Sequence, residues 1–449
     1  MKNLTAVDLF TGAGGMSEGF KSQGFATLYA NEFNKDALKT FQRNNPSCRM
    51  ASPDDIRGVD PTDVRKELSL AKGSLDVLLG GPPCQGFSTY GKRDPSDLRS
   101  QLYIDFFRFI AEFRPKTFVM ENVVGMLSMA KGKLVEDILE RASALGYSCN
   151  RMILDSVHYG VPQRRKRVFI VGSLASLVQE PEASYIEGPE ISRSSQSQLT
   201  LFAECDEQPK NPALTIRDAI SDLSTSTLKP RETHESLDYT SPPLTNYQCF
   251  MRRESSTLEN HSSKQMMGIR RVRLALMNPG EYGLNVISRL KNGGVPDELI
   301  DQLFSGSGLR ELSQCRPEDQ EKELRLRDLL KSGGSYDDIA ELLDFKGFAN
   351  KYRRLKWDEP SHTLVAHMAR DCSDFIHPDL DRFISVREAA RLQSFPDHYY
   401  FEGSQFAQFK QIGNAVPPLL ASAIAGTIKS HLNSGGSKNR QKRLALSQA

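Results

Sequence analysis

Two periodicities share the first 172 residues of the chain. Short runs rich in branched and aromatic residues, at 4–10, 26–30, 75–79, 117–120 and 168–171, are bounded by Gly, Pro or polar residues and read as buried strands. Between them apolar positions recur at helical spacing. Residues 35–44 and 62–70 carry two such patterns; Leu102, Phe106, Phe109, Ile110 and Phe113 form a third stripe, and Leu134, Ile138, Leu139, Ala142 and Leu145 a fourth. These stripes are core faces. Strand alternating with helix predicts an α/β domain whose mostly parallel, doubly wound sheet is covered on both sides, with ligands beyond the carboxyl ends of its strands.

The alternation stops after Gly172. Residues 181–212 are rich in Ser, Glu, Gln and Pro and read as a linker or insertion. From about 213 to 380, Arg, Lys, Ser, Asn and Gly dominate segments such as Asn260-His261 and Arg270-Arg271-Val272-Arg273, which suits an irregular binding domain. Residues 316–343, within a longer stretch of 285–345, are charged and helical in period and read as an insertion packed on that domain. A tail at 433–449 is basic and is expected to be disordered. A chain of 449 residues exceeds what one core supports, so two domains with a cleft between them are expected.

The strand ends carry the chemistry. Residues 75–79 open into Gly80-Gly81-Pro82-Pro83-Cys84-Gln85-Gly86-Phe87-Ser88, where the prolines restrict the backbone and hold Cys84 at a strand end facing the crevice. A buried apolar cysteine is the plain alternative. The first strand runs into Thr11-Gly12-Ala13-Gly14-Gly15, a turn that brings amides and a helix start close to a cofactor. Its spacing departs from G-x-G-x-x-G and no basic residue follows, which favours a cofactor without phosphates. Glu32, about 20 residues on, stands where doubly wound folds accept hydrogen bonds from ribose, and Asp54-Asp55-Ile56 ends a third strand with Asp55 near an adenine edge. Glu121 ends the 117–120 strand on the same edge as Cys84; a carboxyl opening a helix is the plain alternative. Four cations, Arg164 to Arg167, lead into the last strand, where they could orient an anionic or carbonyl-bearing substrate.

Composition narrows the partners only slightly. With 39% hydrophobic and 25% charged residues the chain is an ordinary globular protein, and its net charge of +2 with a pI near 8.1 permits nucleic-acid binding without requiring it. The seven cysteines are scattered with no C-x-x-C pair, so neither a disulfide framework nor a metal site is indicated and a reducing cytoplasm is expected. No apolar run approaches the roughly 18 residues of a membrane span.

An activated cysteine, a nearby carboxyl and a phosphate-free adenosine site suit methyl transfer to carbon 5 of a pyrimidine. Thiolate addition at carbon 6 turns the unreactive ring into an enamine, and a proton or hydrogen bond at nitrogen 3 stabilises it. The sequence resembles the cytosine-5 DNA methyltransferases of bacterial restriction-modification type. Six blocks stand in that family's order: DLFTGAGGMSEGF from Asp8, GGPPCQGFS from Gly80, ENV from Glu121, QRRKRVFIVG from Gln163, REAARLQSFPD from Arg387 and QIGNAVPP from Gln411.

The resemblance implies a Rossmann-like class I methyltransferase fold with a second, smaller target-recognition domain. The catalytic domain would take 1–180 and be completed by 409–432, leaving 213–408 to recognise the target. It implies S-adenosyl-L-methionine as donor, Cys84 as nucleophile, Glu121 on nitrogen 3, and Arg165 and Arg167 near the base. Phe10, Gly12, Gly14, Gly15, Glu32, Phe33, Asp55, Ile56, Pro82, Leu102, Asn414 and Val416 would form the donor site. Double-stranded DNA is the expected substrate, with the cytosine flipped out and residues 85–99 as a lid. A monomer is expected, with a companion restriction endonuclease acting on the same site. An RNA cytosine-5 methyltransferase and a catalytically silent DNA-binding regulator on the same fold are the rival readings.

Overall fold

A computed structural model describes residues 4–83, 102–187, 210–223, 236–263, 266, 269–295, 298, 300, 303, 317–344 and 352–446. Seven strands, β1 (Leu4–Leu9), β2 (Phe25–Asn31), β3 (Met50–Ser52), β4 (Val77–Gly80), β5 (Thr117–Val123), β6 (Ser148–Asp155) and β7 (Lys166–Ser173), form one sheet. Their order is β3-β2-β1-β4-β5-β7-β6, and β7 runs antiparallel to both neighbours while the other adjacent pairs are parallel. The order reverses between β1 and β4, which opens a crevice at their carboxyl ends.

Helices α1 (Gly15–Ser22), α2 (Lys35–Asn44), α3 (Pro61–Glu67), α4 (Leu102–Phe113) and α5 (Lys133–Ala144) connect these strands. Successive strand residues serve opposite faces: Val7, Leu78, Phe118 and Ile170 pack with Phe106, Phe109 and Ile138. Ala6, Val77, Val119 and Phe169 pack with Phe20, Leu420, Ile424 and Ile428 on the other side. The sheet is therefore buried twice, as its continuous apolar runs require.

Residues 185–186 and 211–212 form a two-stranded parallel ladder, β8 (Tyr185–Ile186) with β9 (Asn211–Pro212), so the expected linker begins and ends in paired backbone. Beyond it lie α6 (Ile216–Ile220), α7 (Asn246–Met251), α8 (Ile269–Ala275), α9 (Gly283–Gly293), α10 (Pro317–Ser332), α11 (Tyr336–Leu342), α12 (Val386–Leu392), α13 (Gln405–Asn414) and α14 (Pro418–Leu446). Among the described residues of 213–380, α6 to α11 stand within the irregular backbone that was expected. The shortest of these helices, such as α6 behind its Thr215–Asp218 capping box, are too brief to show a period in sequence.

The 316–343 stretch supplies α10 and α11, whose Leu326, Leu330 and Ile339 share a core with Val272, Leu274, Val286 and Leu290 of α8 and α9. A second cluster carries Leu355, Leu364, Ile384, Leu392, Phe395 and Phe401 and reaches Ala13 of the first half. Buried ion pairs frame it: Arg391 with Asp222 at 2.5 Å and Asp397 at 2.6 Å, and Arg382 with Glu388 at 2.7 Å. The backbone of the basic tail is helical to Leu446 rather than irregular, its run of Lys, Arg, Gln, Leu and Ala being helix-forming.

Candidate active site

The carboxyl end of β1 turns sharply. Phe10 takes a positive φ of 57°, uncommon for a residue with a side chain, and Thr11 N–H donates to the Asn31 carbonyl at 3.1 Å. This turn and the loop after β2 are locked together by Glu32. One carboxylate oxygen accepts from Gly12 N–H at 2.9 Å and the other from Asn34 N–H at 2.7 Å. Burial raises the Glu32 pKa despite those donors. Asp8, buried at the strand end, accepts from the hydroxyls of Thr11 (2.8 Å) and Ser17 (2.6 Å) through one oxygen. Its other oxygen is buried with no partner among the described residues, and burial lifts its pKa to about 6.

Glu121 stays within β5, so it does not open a helix. Its register partner on β7 is Phe169, while Arg167 faces Val123, which sets Glu121 and Arg167 on a diagonal of one sheet face. The Arg167 Nε lies 3.1 Å from the Glu121 carboxylate, both side chains being only 13% exposed. Burial raises the Glu121 pKa although Arg167 and Arg165 oppose it. Gly81 makes room here: a Cβ on it would sit 3.2 Å from Glu121 Oε2. Asn122 fixes the strand end by donating to the Pro82 carbonyl at 2.9 Å. Cys84 and the 85–99 segment lie outside the described residues.

Arg165 is fully buried, and its guanidinium serves backbone: it donates to the carbonyls of Leu364 (2.5 Å), Gly413 (2.9 Å) and Ala415 (3.0 Å). Those bonds make it a brace of the site, while Arg167 is the arginine paired with the carboxyl.

These groups line one cavity of about 780 Å³ at the reversal of the strand order. Of the residues named from sequence, Phe10, Gly12, Gly15, Glu32, Phe33, Asp55 and Ile56 line one part of it. Pro82, Leu102, Glu121, Arg165, Arg167, Asn414 and Val416 line the rest. Gly14 does not: it caps α1 and its space is closed by Tyr399 and Phe41. The Asp55 carboxylate is turned to Arg57, whose hydrogen bonds hold its pKa down to about 2. Asp8, Phe406, Lys410 and Gln411 also line the cavity and were not singled out. A charged residue at the end of an apolar strand was the available signal for Asp8; the three on α13 only reach the site once that helix folds back.

Asn260-His261, read from sequence as part of an irregular binding domain, holds the fold together. Asn260 exchanges hydrogen bonds with the Phe401 backbone (3.1 and 2.8 Å), and His261 Nδ1 lies 2.9 Å from Ser385 Oγ. Arg273 is buried and Arg271 donates to the Leu303 carbonyl, so that cluster is not a free basic face. Among the described residues no group of three or more His, Cys, Asp or Glu could hold a metal, and no helix is long and apolar enough to cross a membrane.

A Rossmann-like sheet with one antiparallel strand, a cofactor-sized cavity at its switch point and a carboxyl–guanidinium pair on the neighbouring edge define the class: a methyltransferase of the α/β type. The family model for C-5 cytosine-specific DNA methylase matches residues 4–430. The chain is 53% identical to the Type II methyltransferase M.AgeI of Thalassovita gelatinovora over 95% of its length and 99% of the relative's. It is 33% identical to the Type II methyltransferase M.DdeI of Desulfomicrobium norvegicum, covering 95% and 88%. In fold it is similar to a putative DNA modification methyltransferase encoded within an E. coli prophage, at a TM-score of 0.64 and 21% identity over 96% and 99% of the chains. The chain belongs to the C-5 cytosine-specific DNA methylase family and is a DNA (cytosine-5)-methyltransferase.

Proposed function

We propose that the 780 Å³ cavity binds S-adenosyl-L-methionine and that Cys84, Glu121 and Arg167 act on a cytosine flipped from a specific duplex sequence. The volume lies in the ordinary range of small-ligand sites. The lining suits this donor: Asp8, Glu32 and Asp55 are carboxylates, Phe10, Phe33, Ile56 and Leu102 are apolar, Arg57, Arg165 and Arg167 are already engaged, and Lys410 offsets part of the Glu32 charge. Such a surface favours a cationic adenosine without phosphates. When bound, the donor supplies an electrophilic methyl group.

The observation that carries the reading is the buried Glu121 beside Arg167, at the strand edge that leads to Pro82 and Pro83. A carboxyl with a raised pKa can present a proton to ring nitrogen 3, and Arg167 steadies the carboxylate when that proton leaves. The Cys84 thiolate adds at carbon 6 and makes carbon 5 nucleophilic. After methylation, loss of the carbon 5 proton and of the sulfur restores the aromatic ring. Extruding the base costs a few kcal/mol, which contacts from residues 213–408 to the flanking duplex would offset.

The full names of the relatives favour the protective methylase of a restriction-modification system, with a companion endonuclease of the same specificity. The test offers tritiated donor with duplex DNA or transfer RNA, followed by bisulfite sequencing of host DNA. Label in DNA, absent in Cys84→Ser, with one methylated sequence is the expected result. Label in RNA alone, or full activity of Cys84→Ser, would refute it.

A further inference from the structure

Behind the catalytic edge, the side chains of Gln163, Arg165 and Gln393 close a hydrogen-bonded ring with the backbone of Leu364 and Ala415. Gln163 Oε1 accepts from Leu364 N–H at 2.9 Å, and the Leu364 carbonyl accepts from Arg165 Nη1 at 2.5 Å. Arg165 Nη2 donates to the Ala415 carbonyl at 3.0 Å, which also accepts from Gln393 Nε2 at 2.6 Å. Gln393 Oε1 accepts from Gln163 Nε2 at 2.5 Å and completes the circuit. Gln163 and Gln393 are fully buried, so each bond forms in a low-dielectric interior where a loose partner is costly.

The ring adds to the packing of Leu364 with Ile412 and Ala415 in one core cluster. Leu364 belongs to the recognition half, whose Ser361 also pairs with the 162–164 backbone (2.9 and 2.8 Å). Ala415 stands between Asn414 and Val416, both on the donor cavity, and Arg165 lies two residues from Arg167 on β7. A displacement of the 361–364 segment can therefore reach the donor-side wall through this ring, whose Arg165 itself lines the cavity, beside the direct packing of Val365 on Gly413.

We propose that Gln393 is a positioning residue that couples docking of DNA on the recognition half to binding in the donor cavity, through this ring. The proposal rests on the donor reading above. The variant Q393M is of similar length and frees one Gln163 amide N–H, while Gln163 Nε2 keeps the Leu392 carbonyl at 3.0 Å and the Ala415 carbonyl keeps Arg165. The fold should stand while the Gln393 arm of the ring is cut, leaving Arg165 as the other link between Leu364 and Ala415.

The experiment measures S-adenosylhomocysteine affinity by calorimetry, with and without a duplex carrying the methylated site. In the wild type the duplex should tighten binding about fivefold or more, within the usual span of coupling between sites. In Q393M that factor should fall by about half or more, the Arg165 arm carrying the rest, while affinity without DNA changes by less than about twofold. By linkage, duplex affinity with and without the nucleoside must show the same loss of coupling. If Q393M fails to melt cooperatively, Q393L carries the same test, since it too lacks the amide donor to Ala415 and carries no charge. Retention of the wild-type factor in the variant, absence of any factor in the wild type, or an equal loss of affinity with and without DNA would overturn the proposal. A wild type that does not bind S-adenosylhomocysteine at all removes the donor reading itself, and the proposal with it.

Discussion

At Glu121 and Asp8 burial raises both carboxyls, and the neighbours, arginines at one and hydroxyls at the other, separate two jobs that the same functional group could do. Glu121→Gln keeps the shape and a hydrogen-bonding group but has no proton to give to nitrogen 3. Turnover is expected to fall by roughly 10²–10⁴, the usual share of general acid catalysis, with S-adenosylhomocysteine affinity within about twofold. Single-turnover rates and calorimetry check this; a loss confined to nucleoside binding would move Glu121 into the donor site. Asp8 has a folded pKa near 6 against an ordinary 3.8. The folded state then holds the proton more tightly than the unfolded chain, so this group favours folding below about pH 4, and the benefit is lost as pH rises to about 6. Over that window the effect is roughly 3 kcal/mol at most. Denaturant titrations at pH 4 to 7 should show Asp8→Asn lacking this slope; parallel curves for variant and wild type would contradict it.

Among the elements, those with a clear period were legible to within a few residues: α2 spans Lys35–Asn44 and α4 Leu102–Phe113, where the sequence stripes lie. The edge strand β6 was not, because Arg151 and Ile153 face outward and leave only Met152 and Leu154 as an apolar signal. The reversal of β7 was equally hidden, since a four-cation entrance says nothing of direction. The strand-end residues could be read because turn chemistry is local; the ring of Gln163 and Gln393 could not, because its members are 230 positions apart. Another long-range fit predicts its own defect. A Cβ on Gly19 of α1 would lie 2.4 Å from the Pro418 carbonyl and 2.5 Å from Ala421, both on α14, so Gly19→Ala must push that helix away. We expect a loss of about 1–3 kcal/mol. Because Val416 leads into α14, nucleoside affinity should weaken as well. Gly58→Ala, with nothing within 4 Å of the added carbon, is the control. Equal melting temperatures for the two variants would show that α14 has slack.

Across the whole molecule, the two halves answer acid in opposite senses. His362 of the recognition half stacks on Phe375 with centroids 4.3 Å apart, and neither ring nitrogen has a partner among the described residues. Burial, helped by Arg353, drives its pKa down to about 3. His377 is also held low, at about 4, by burial, although Glu388 at 3.8 Å pulls the other way. Both folded values lie below the ordinary 6.5, so the unfolded chain binds these protons more tightly and the fold loses stability as pH drops below about 6.5. Asp8 acts in the catalytic half with the reverse sign over pH 4 to 6. Lowering pH from 7 to 5 should therefore loosen residues 352–385 before the sheet at 4–80. For His362 alone the change is roughly 2 kcal/mol. Hydrogen exchange at the two pH values, corrected for the intrinsic rate, would report it, and His362→Phe, which keeps a stacking ring without a titrating group, should remove that share. A loss of protection at pH 5 that begins in β1 and β2, or one unchanged in His362→Phe, would mean that the acid sensitivity of this enzyme is set elsewhere.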